Sequence, residues 1–269
     1  MKPTLDAILP SSILQSTKNT YDAFRRLPQL PDAYLHPWRR ESIHRLQAFK
    51  DIHKGKRAFI MGNGPSLKQT DLSKLKNEFT FGLNRIYLLF PELGFKTTYF
   101  VSINDLVIEQ CAQEIAALQV PKFIAWHSNR HFHRLPDDLV FLYTTYTGAR
   151  FAYDMTRRVW EGATVTNVAL QLAFYMGFAQ VILIGIDHNF ANKGKANQTV
   201  VSEGDDPNHF SPSYFGKGFR WQLPDLDTSE IGYNLARNAY RKAGREVLDA
   251  TINGKLMIFP KVDYNTLFQ

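Results

Sequence analysis

The sequence predicts an α/β fold: a mainly parallel, Rossmann-like sheet with helices on both faces, preceded by an N-terminal helical extension. Three observations predict it. Short apolar runs of strand length alternate with longer segments of helical period, the pattern of a parallel sheet assembled from strand–helix–strand units. Several of those runs end in polar residues, at Asn63, Asn84, Asn104-Asp105 and Asp187-His188, and ligands of such sheets bind beyond the carboxyl ends of the strands. The first run, Arg57–Met61, passes directly into Gly62-Asn63-Gly64-Pro65-Ser66, where glycine lets the backbone turn tightly and approach a neighbour or ligand closely.

Each element follows in order. Residues 1–35 are punctuated by Pro3, Pro10, Pro28 and Pro31 and should form loops with a short helix near Gln15–Arg26. Pro37–Lys50 reads as an amphipathic helix, with Ile43, Leu46 and Phe49 on one face and proline in its first turn. Strands are expected at Arg57–Met61, Phe79–Leu83, Thr97–Ile103, Pro121–Trp126 and Leu139–Thr144, with a helix over Asp105–Leu118 between the third and fourth. Thr164–Met176 is a long apolar helix that feeds the strand Gln180–Gly185. The segment from Asn192 to Asp227 is polar and rich in Gly, Pro and Ser. It is too long for an ordinary connection and reads as a lid-like loop. A helix over Glu230–Ala243 and a strand over Lys255–Phe259 close the pattern. The expected organisation is a helical extension over residues 1–55 and a nucleotide-binding catalytic domain over 56–269, with its lid at about 192–227.

Composition narrows the partners. The chain is 44% hydrophobic and 21% charged, values of an ordinary globular protein, so extensive disorder is excluded. The formal net charge of +7 favours anionic partners: a phosphorylated small substrate, an anionic membrane surface or nucleic acid. The basic residues are dispersed, with no run of five, and nucleic acid is not expected. Cys111 is the only cysteine, which rules out an intrachain disulfide and fits a reducing compartment. With no signal-peptide pattern and no 18-residue apolar run, the expected location is cytoplasmic, with peripheral contact at the inner face of the membrane.

Candidate site residues cluster at the predicted strand ends. Gly62, Gly64 and Pro65 shape the first turn. Asn63 can bond a phosphate or ribose, and Ser66 can cap the following helix, whose free amides and dipole favour an anion. The motif is neither the full dinucleotide fingerprint nor a Walker loop, and a plain Gly-Pro turn is the alternative. Asn84 can read a nucleotide through its paired donor and acceptor, and Arg85 can hold phosphate; a turn asparagine and a surface ion pair are the competing readings. Asn104 and Asp105 stand at the third strand end. Thr164, Thr166 and Asn167 open the long apolar helix and either meet an anion or cap it. Asp187 can bind a sugar hydroxyl or satisfy loop amides, with His188 beside it. In the late loop, His209 is a candidate general base and Tyr214 a donor to a leaving phosphate. Asp205-Asp206 and Asp225-Leu226-Asp227 could hold a divalent ion or be solvated charges. His131 and His133 lack a third ligand, so no metal site is expected.

The segments GNGPSLKQTDLSKLK, FGLNRIY, GATVTNVALQLAFYMGFAQVILIGIDHNF and the loop containing PNHF, in this order, resemble the 6-hydroxymethylpterin diphosphokinase-like family. That family includes the Rossmann-like domain of flagellin-modifying glycosyltransferases, and small bacterial sialyltransferases share its plan. The resemblance implies that Asn63 and Ser66 contact nucleotide phosphate and ribose, that Asn84 contacts a cytidine nucleotide, that Thr164–Thr166 line the site, and that His209 is the base. Those sialyltransferases carry a tyrosine shortly after the aspartate, where this chain has His188, Asn189 and Phe190. The implied activity is transfer of a sugar from a nucleotide-activated donor, a CMP-linked acidic sugar, to a glycan or lipid-linked acceptor, with no cofactor. Two other readings remain: an Mg²⁺-dependent diphosphokinase of a pterin alcohol, with Asp105 and Asp187 as metal partners, and a non-catalytic nucleotide-binding component of polysaccharide assembly.

Overall fold

The computed structural model describes residues 26–191 and 194–269, together with Thr20, Tyr21 and Phe24. Most of the helix expected near Gln15–Arg26 lies outside the described residues. The chain runs through α1 (Leu30–Leu35), α2 (Pro37–Phe49), β1 (Arg57–Met61), β2 (Phe79–Leu83), α3 (Phe90–Leu93), β3 (Tyr99–Ser102), α4 (Asp105–Ala117), β4 (Lys122–Ala125) and β5 (Leu139–Thr145). It continues through β6 (Arg158–Trp160), α5 (Val165–Tyr175), β7 (Gln180–Ile184), β8 (Thr199–Val201), β9 (Arg220–Gln222), α6 (Leu226–Lys242) and β10 (Glu246–Asp249).

Eight strands form one sheet in the order β10-β7-β1-β2-β3-β4-β5-β6, every pair parallel. The chain lays β1 to β6 toward one edge. It then returns through α5 and sets β7 on the other flank of β1, where Ala58 pairs with Phe79 on one side and Val181 on the other. This reversal between β1 and β7 opens a crevice at the carboxyl ends of the strands, the usual ligand position in such sheets.

Alternation along β1 explains the two-sided burial. Ala58 and Ile60 join the core that contains Leu46 of α2 and Val168, Leu172 and Tyr240. Phe59 and Met61 join the opposite core, with Val107, Ile108 and Ile115 of α4, Leu67 and Tyr264. Successive side chains of a strand point to opposite faces, and a strand covered on both faces reads as one apolar run. Helix α5 is buried on nearly all sides because the sheet covers one side and α6 the other; the Tyr240 hydroxyl donates to the Leu170 carbonyl at 2.8 Å.

Three expectations change. The last strand is Glu246–Asp249, in register with β7, and not Lys255–Phe259. Gly244, at φ +67°, lets the chain leave α6 and re-enter the sheet at once, so EVLD takes the edge position. Lys255–Phe259 instead buries Leu256 and Phe259 without joining a ladder. Helix α6 begins four residues before the expected Glu230, because Asp225 caps it by accepting from the Thr228 amide at 3.1 Å. The polar segment before α6 contains the antiparallel hairpin β8–β9. The Gln110 side chain of α4 both donates to the Arg220 carbonyl and accepts from its amide, at 2.8 and 2.9 Å, clamping the hairpin. Phe215 stacks on Trp221 and Phe219, with centroids 5.4 and 4.8 Å apart. Among the described residues, no helix is long and apolar enough to cross a membrane.

Candidate functional site

A cavity of about 690 Å³ lies at the carboxyl ends of the strands, within the size range of small-molecule sites. Its wall runs from the β1–β7 crevice, with Asn63 and His188, past Asn84 and Asn104 to the ends of β5 and β6, with Thr145 and Glu161. The segment 197–226 covers it.

The first turn is built differently from the sequence expectation. Pro65–Gln69 is a short 3₁₀ helix, not the start of an α-helix. Its neighbouring amides serve β7: Gly62 donates to the Ile184 carbonyl at 2.8 Å, Gly64 to the Gly185 carbonyl at 2.9 Å, and Ser66 to Asp187 Oδ1 at 3.1 Å. Proline has no amide to offer. The glycines are there for the protein itself. A Cβ on Gly62 would sit 2.2 Å from the Gly185 oxygen, and one on Gly64 1.8 Å from Asp187 Oδ2. Gly62, Asn63 and Gly64 line the cavity, while Pro65 and Ser66 lie behind its wall. What the turn presents is Asn63, whose side-chain Oδ1 is buried and has no partner among the described residues.

Asp187 lines the cavity, but its carboxylate accepts from both the amide and the hydroxyl of Ser66, the latter at 2.7 Å. Burial pushes its pKa above the usual carboxylate range, against those two bonds, and the nearby charge of Asp249 adds to the rise. These contacts make it the anchor of the first turn. His188 follows at φ +52°, with Nε2 3.0 Å from Glu230 Oε1 of α6.

Asn84 stands at φ +48°, a conformation that asparagine tolerates better than most residues, and its Oδ1 accepts from the Ser102 hydroxyl at 3.1 Å. Arg85 does not reach the cavity. Its guanidinium donates to the Tyr214 carbonyl, lies 3.9 Å from Glu114 and sits over the Phe219 ring. Asn104 caps α4 by accepting from the Leu106 and Val107 amides. Asp105 lines the cavity and is held by the Ser128 hydroxyl at 2.7 Å, Arg130 and His131. Burial alone would raise its pKa; the Ser128 bond and the charges of Arg130, His127 and His131 outweigh it and hold the carboxyl below its ordinary value. Thr164 caps α5, accepting from the Thr166 amide at 3.3 Å, and both threonines line the cavity. Asn167 lies behind it, donating to the Trp160 carbonyl at 3.1 Å.

The late loop carries an arrangement that no sequence pattern announced. His209 Nδ1 lies 2.7 Å from Oδ2 of the buried Asp206, and Asp206 Oδ1 accepts from the Asn208 amide at 2.9 Å. Asp206 therefore orients a histidine and is not half of an ion-binding pair with Asp205. The imidazole stacks on Tyr214, centroids 4.0 Å apart and planes within 8°. Tyr214 is buried behind His209, its hydroxyl accepting from the Arg85 amide at 3.2 Å, so it forms the platform of the ring and cannot donate to a leaving phosphate in the cavity. The Phe210 amide donates to the Asn63 carbonyl at 2.8 Å, tying this loop to the first turn. Nearer α6, Tyr146 donates to Asp225 and accepts from the Asn197 amide group, both at 2.7 Å. That contact joins the end of β5 to the covering segment.

Among the described residues, no group of three or more His, Cys, Asp or Glu is placed to hold a metal ion. Sequence reasoning missed Glu161, Thr144, Thr145 and Tyr146. The signal for Glu161 was present: it ends the short run RVW as the other polar residues end their strands.

A family model described as 6-hydroxymethylpterin diphosphokinase MptE-like matches residues 35–193, more than half of the chain. No curated protein matches the sequence. Among solved structures, the MAf glycosyltransferase from Magnetospirillum magneticum AMB-1 is similar, at 15% identity and a TM-score of 0.48; the match covers 93% of this chain and 42% of that one. The chain thus spans about two fifths of the length of that protein. The match to the family model over residues 35–193, on a parallel sheet whose strand ends gather the motif residues around one cavity, establishes that this chain belongs to the 6-hydroxymethylpterin diphosphokinase MptE-like family.

Proposed function

We propose that the protein is a glycosyltransferase that moves a sugar, a CMP-linked acidic sugar, from its nucleotide to a hydroxyl of a glycan or lipid-linked acceptor, working in the cytoplasm with peripheral membrane contact. The observation that carries this reading is the Asp206–His209 pair, whose histidine lines the cavity. With Nδ1 committed to Asp206, the ring has Nε2 left to take a proton, the arrangement of an oriented general base. In the proposed step, the acceptor oxygen bonds to the anomeric carbon as its proton passes to His209 Nε2. The bond from that carbon to the nucleotide phosphate breaks, and the phosphate leaves with the bonding pair. Asp206 stabilises the imidazolium. The nucleotide would lie at the β1–β7 crevice, against Asn63, Asn84 and the start of α5, and the net charge of +7 would favour an anionic donor.

The family description favours a second reading, a diphosphokinase. The residues do not fit its metal well. Asp105 and Asp187, the carboxylates it would need, are already bonded by Ser128, Arg130 and Ser66.

A thermal-shift screen against CMP, CDP, UDP, GDP and ATP, each with and without Mg²⁺, tests the two readings, since a ligand of the native state raises its apparent stability. Stabilisation by a cytidine nucleotide without metal is expected. Stabilisation by ATP with Mg²⁺ alone would transfer the assignment to the diphosphokinase. Nucleotide binding with no turnover of any nucleotide sugar would leave a non-catalytic component.

A further inference from the structure

We propose that the β5–β6 end of the cavity is a second subsite, in which Glu161, Thr144 and Thr145 hold a hydroxyl-bearing glycosyl unit while the nucleotide occupies the β1–β7 end. The assignment of the nucleotide end rests on the transferase reading; the subsite itself rests on the residues below.

Length is the first argument. Four strand spacings separate β1 from β5 in the sheet order, which at about 4.8 Å each is about 19 Å. The cavity wall is continuous over that distance. A nucleoside monophosphate seated at the crevice does not fill it, so the far end is left for another chemical group.

The two ends also differ in kind. Near β1 and β7 the polar side chains are the amides of Asn63 and Asn84, the imidazole of His188 and the carboxylate of Asp187, which Ser66 already occupies. At β5 and β6 they are two adjacent threonines and a carboxyl group. Glu161 is the first residue past β6, and its amide donates to the Thr145 carbonyl at 2.9 Å, which fixes the backbone that carries it. Its carboxyl group faces Thr144, with His127 and Arg26 as the charged neighbours. It lies deep in the protein yet keeps part of its surface open to the cavity. Burial, the dominant influence, pushes its pKa upward against the opposing influence of His127, Thr144 and Arg26. The oxygens of a carboxyl group accept from hydroxyls, and so complement those of a sugar.

Thr145 supplies the independent observation. It is 2% exposed, it lines the cavity, and its hydroxyl has no partner among the described residues. Buried hydroxyls in native proteins nearly always have partners, and a ligand hydroxyl at this wall supplies one. The roof fits the same purpose. Tyr146, the next residue, is bonded to Asp225 and Asn197 of the covering segment, which ties that segment to the wall beside Thr145.

Saturation-transfer NMR on the full chain tests this with four probes: CMP, galactose, N-acetylneuraminic acid and 6-hydroxymethylpterin. We expect at least one monosaccharide to receive transfer from the unaltered protein. Glu161→Gln and Thr145→Val should each weaken that monosaccharide about fivefold, the loss of roughly one hydrogen bond, and leave CMP binding unchanged. Thr145→Ser, which keeps the hydroxyl, should bind like the parent, and this separates lost chemistry from lost folding. Absence of transfer to both monosaccharides overturns the proposal. So does an equal loss of CMP binding in Glu161→Gln, or competition by the pterin for the same Glu161-dependent site. If a monosaccharide binds as expected while CMP does not, the subsite stands and the nucleotide reading falls.

Discussion

A histidine acts as a base when one ring nitrogen is held and the other is left to the substrate, and the side chains around His209 meet that requirement from three sides: Asp206 at Nδ1, Tyr214 beneath the ring and Phe215 at its edge. His209→Ala should lower kcat by about 10²–10⁴-fold, the usual worth of a general base, with nucleotide affinity unchanged by calorimetry. Asp206→Asn should give a smaller loss in kcat at constant KM, because it disturbs the orientation of the ring and not substrate contacts. Gly64 offers a cleaner test of packing. Its backbone is in an ordinary extended conformation, so alanine is resisted by contacts, with the Asp187 carboxylate and the Gly185 carbonyl oxygen, and Gly64→Ala should destabilise by about 1–3 kcal/mol through overpacking, read from urea unfolding. At this scale the sequence was half legible. Asn63, Asn84, Thr164 and His209 reach the cavity as their positions at strand ends and in the late loop suggested. Ser66, Arg85 and Tyr214 have the right chemistry but face inward, because irregular segments have no period from which to read the direction of a side chain; Asn167, on α5, turns to the Trp160 carbonyl instead.

Among the elements, legibility follows length. β1, β2 and β7 are apolar runs buried on both faces and could be read from sequence alone. β6, β8 and β9 span three residues each, too few to show a pattern, and their pairing depends on contacts distant in sequence. The same distance hides the ion pair at the start of β4. Lys122 is fully buried, with Nζ 2.5 Å from Asp138 Oδ1, while the Asp138 side chain is 34% exposed. Burial pulls the Lys122 pKa below its ordinary value despite the bond and charge of Asp138. The two partners should therefore respond unequally. Asp138→Asn leaves a buried ammonium uncompensated and should cost about 3 kcal/mol, whereas Lys122→Met leaves only a hydrated carboxylate and should be within about 1 kcal/mol of the parent. Chemical denaturation of both variants decides it.

For the molecule as a whole, four carboxyl groups set opposing pH responses. Asp105 is held below its ordinary pKa as described above. In Asp225, burial is outweighed by the bonds from Tyr146, Thr228 and Asn197. The unfolded chain binds protons at these two sites first as pH falls, so their contribution is present above the unfolded value of about 4 and is lost below it. Glu161 and Asp187, both raised, act the other way: their contribution is present at low pH and is lost as pH rises through their folded values. Thermal melts should show stability falling below about pH 4, and Asp105→Asn should flatten that fall. Melts of Glu161→Gln should be flatter on the other side, through the range where the folded carboxyl group ionises.

The bond from the Phe210 amide to the Asn63 carbonyl joins the residue that faces the crevice to the loop that carries the proposed base. A coupling carried by such a bond between two sites is reciprocal. A nucleotide that immobilises Asn63 should slow amide hydrogen exchange at residues 206–215, far more than in the hairpin clamped on α4. Conversely, a substitution that loosens the loop should speed the dissociation of the nucleotide. Mass spectrometry of exchanged peptides, with and without CMP, reads the first effect directly. Arrival of the donor would then further steady a histidine that Asp206 and Tyr214 already orient.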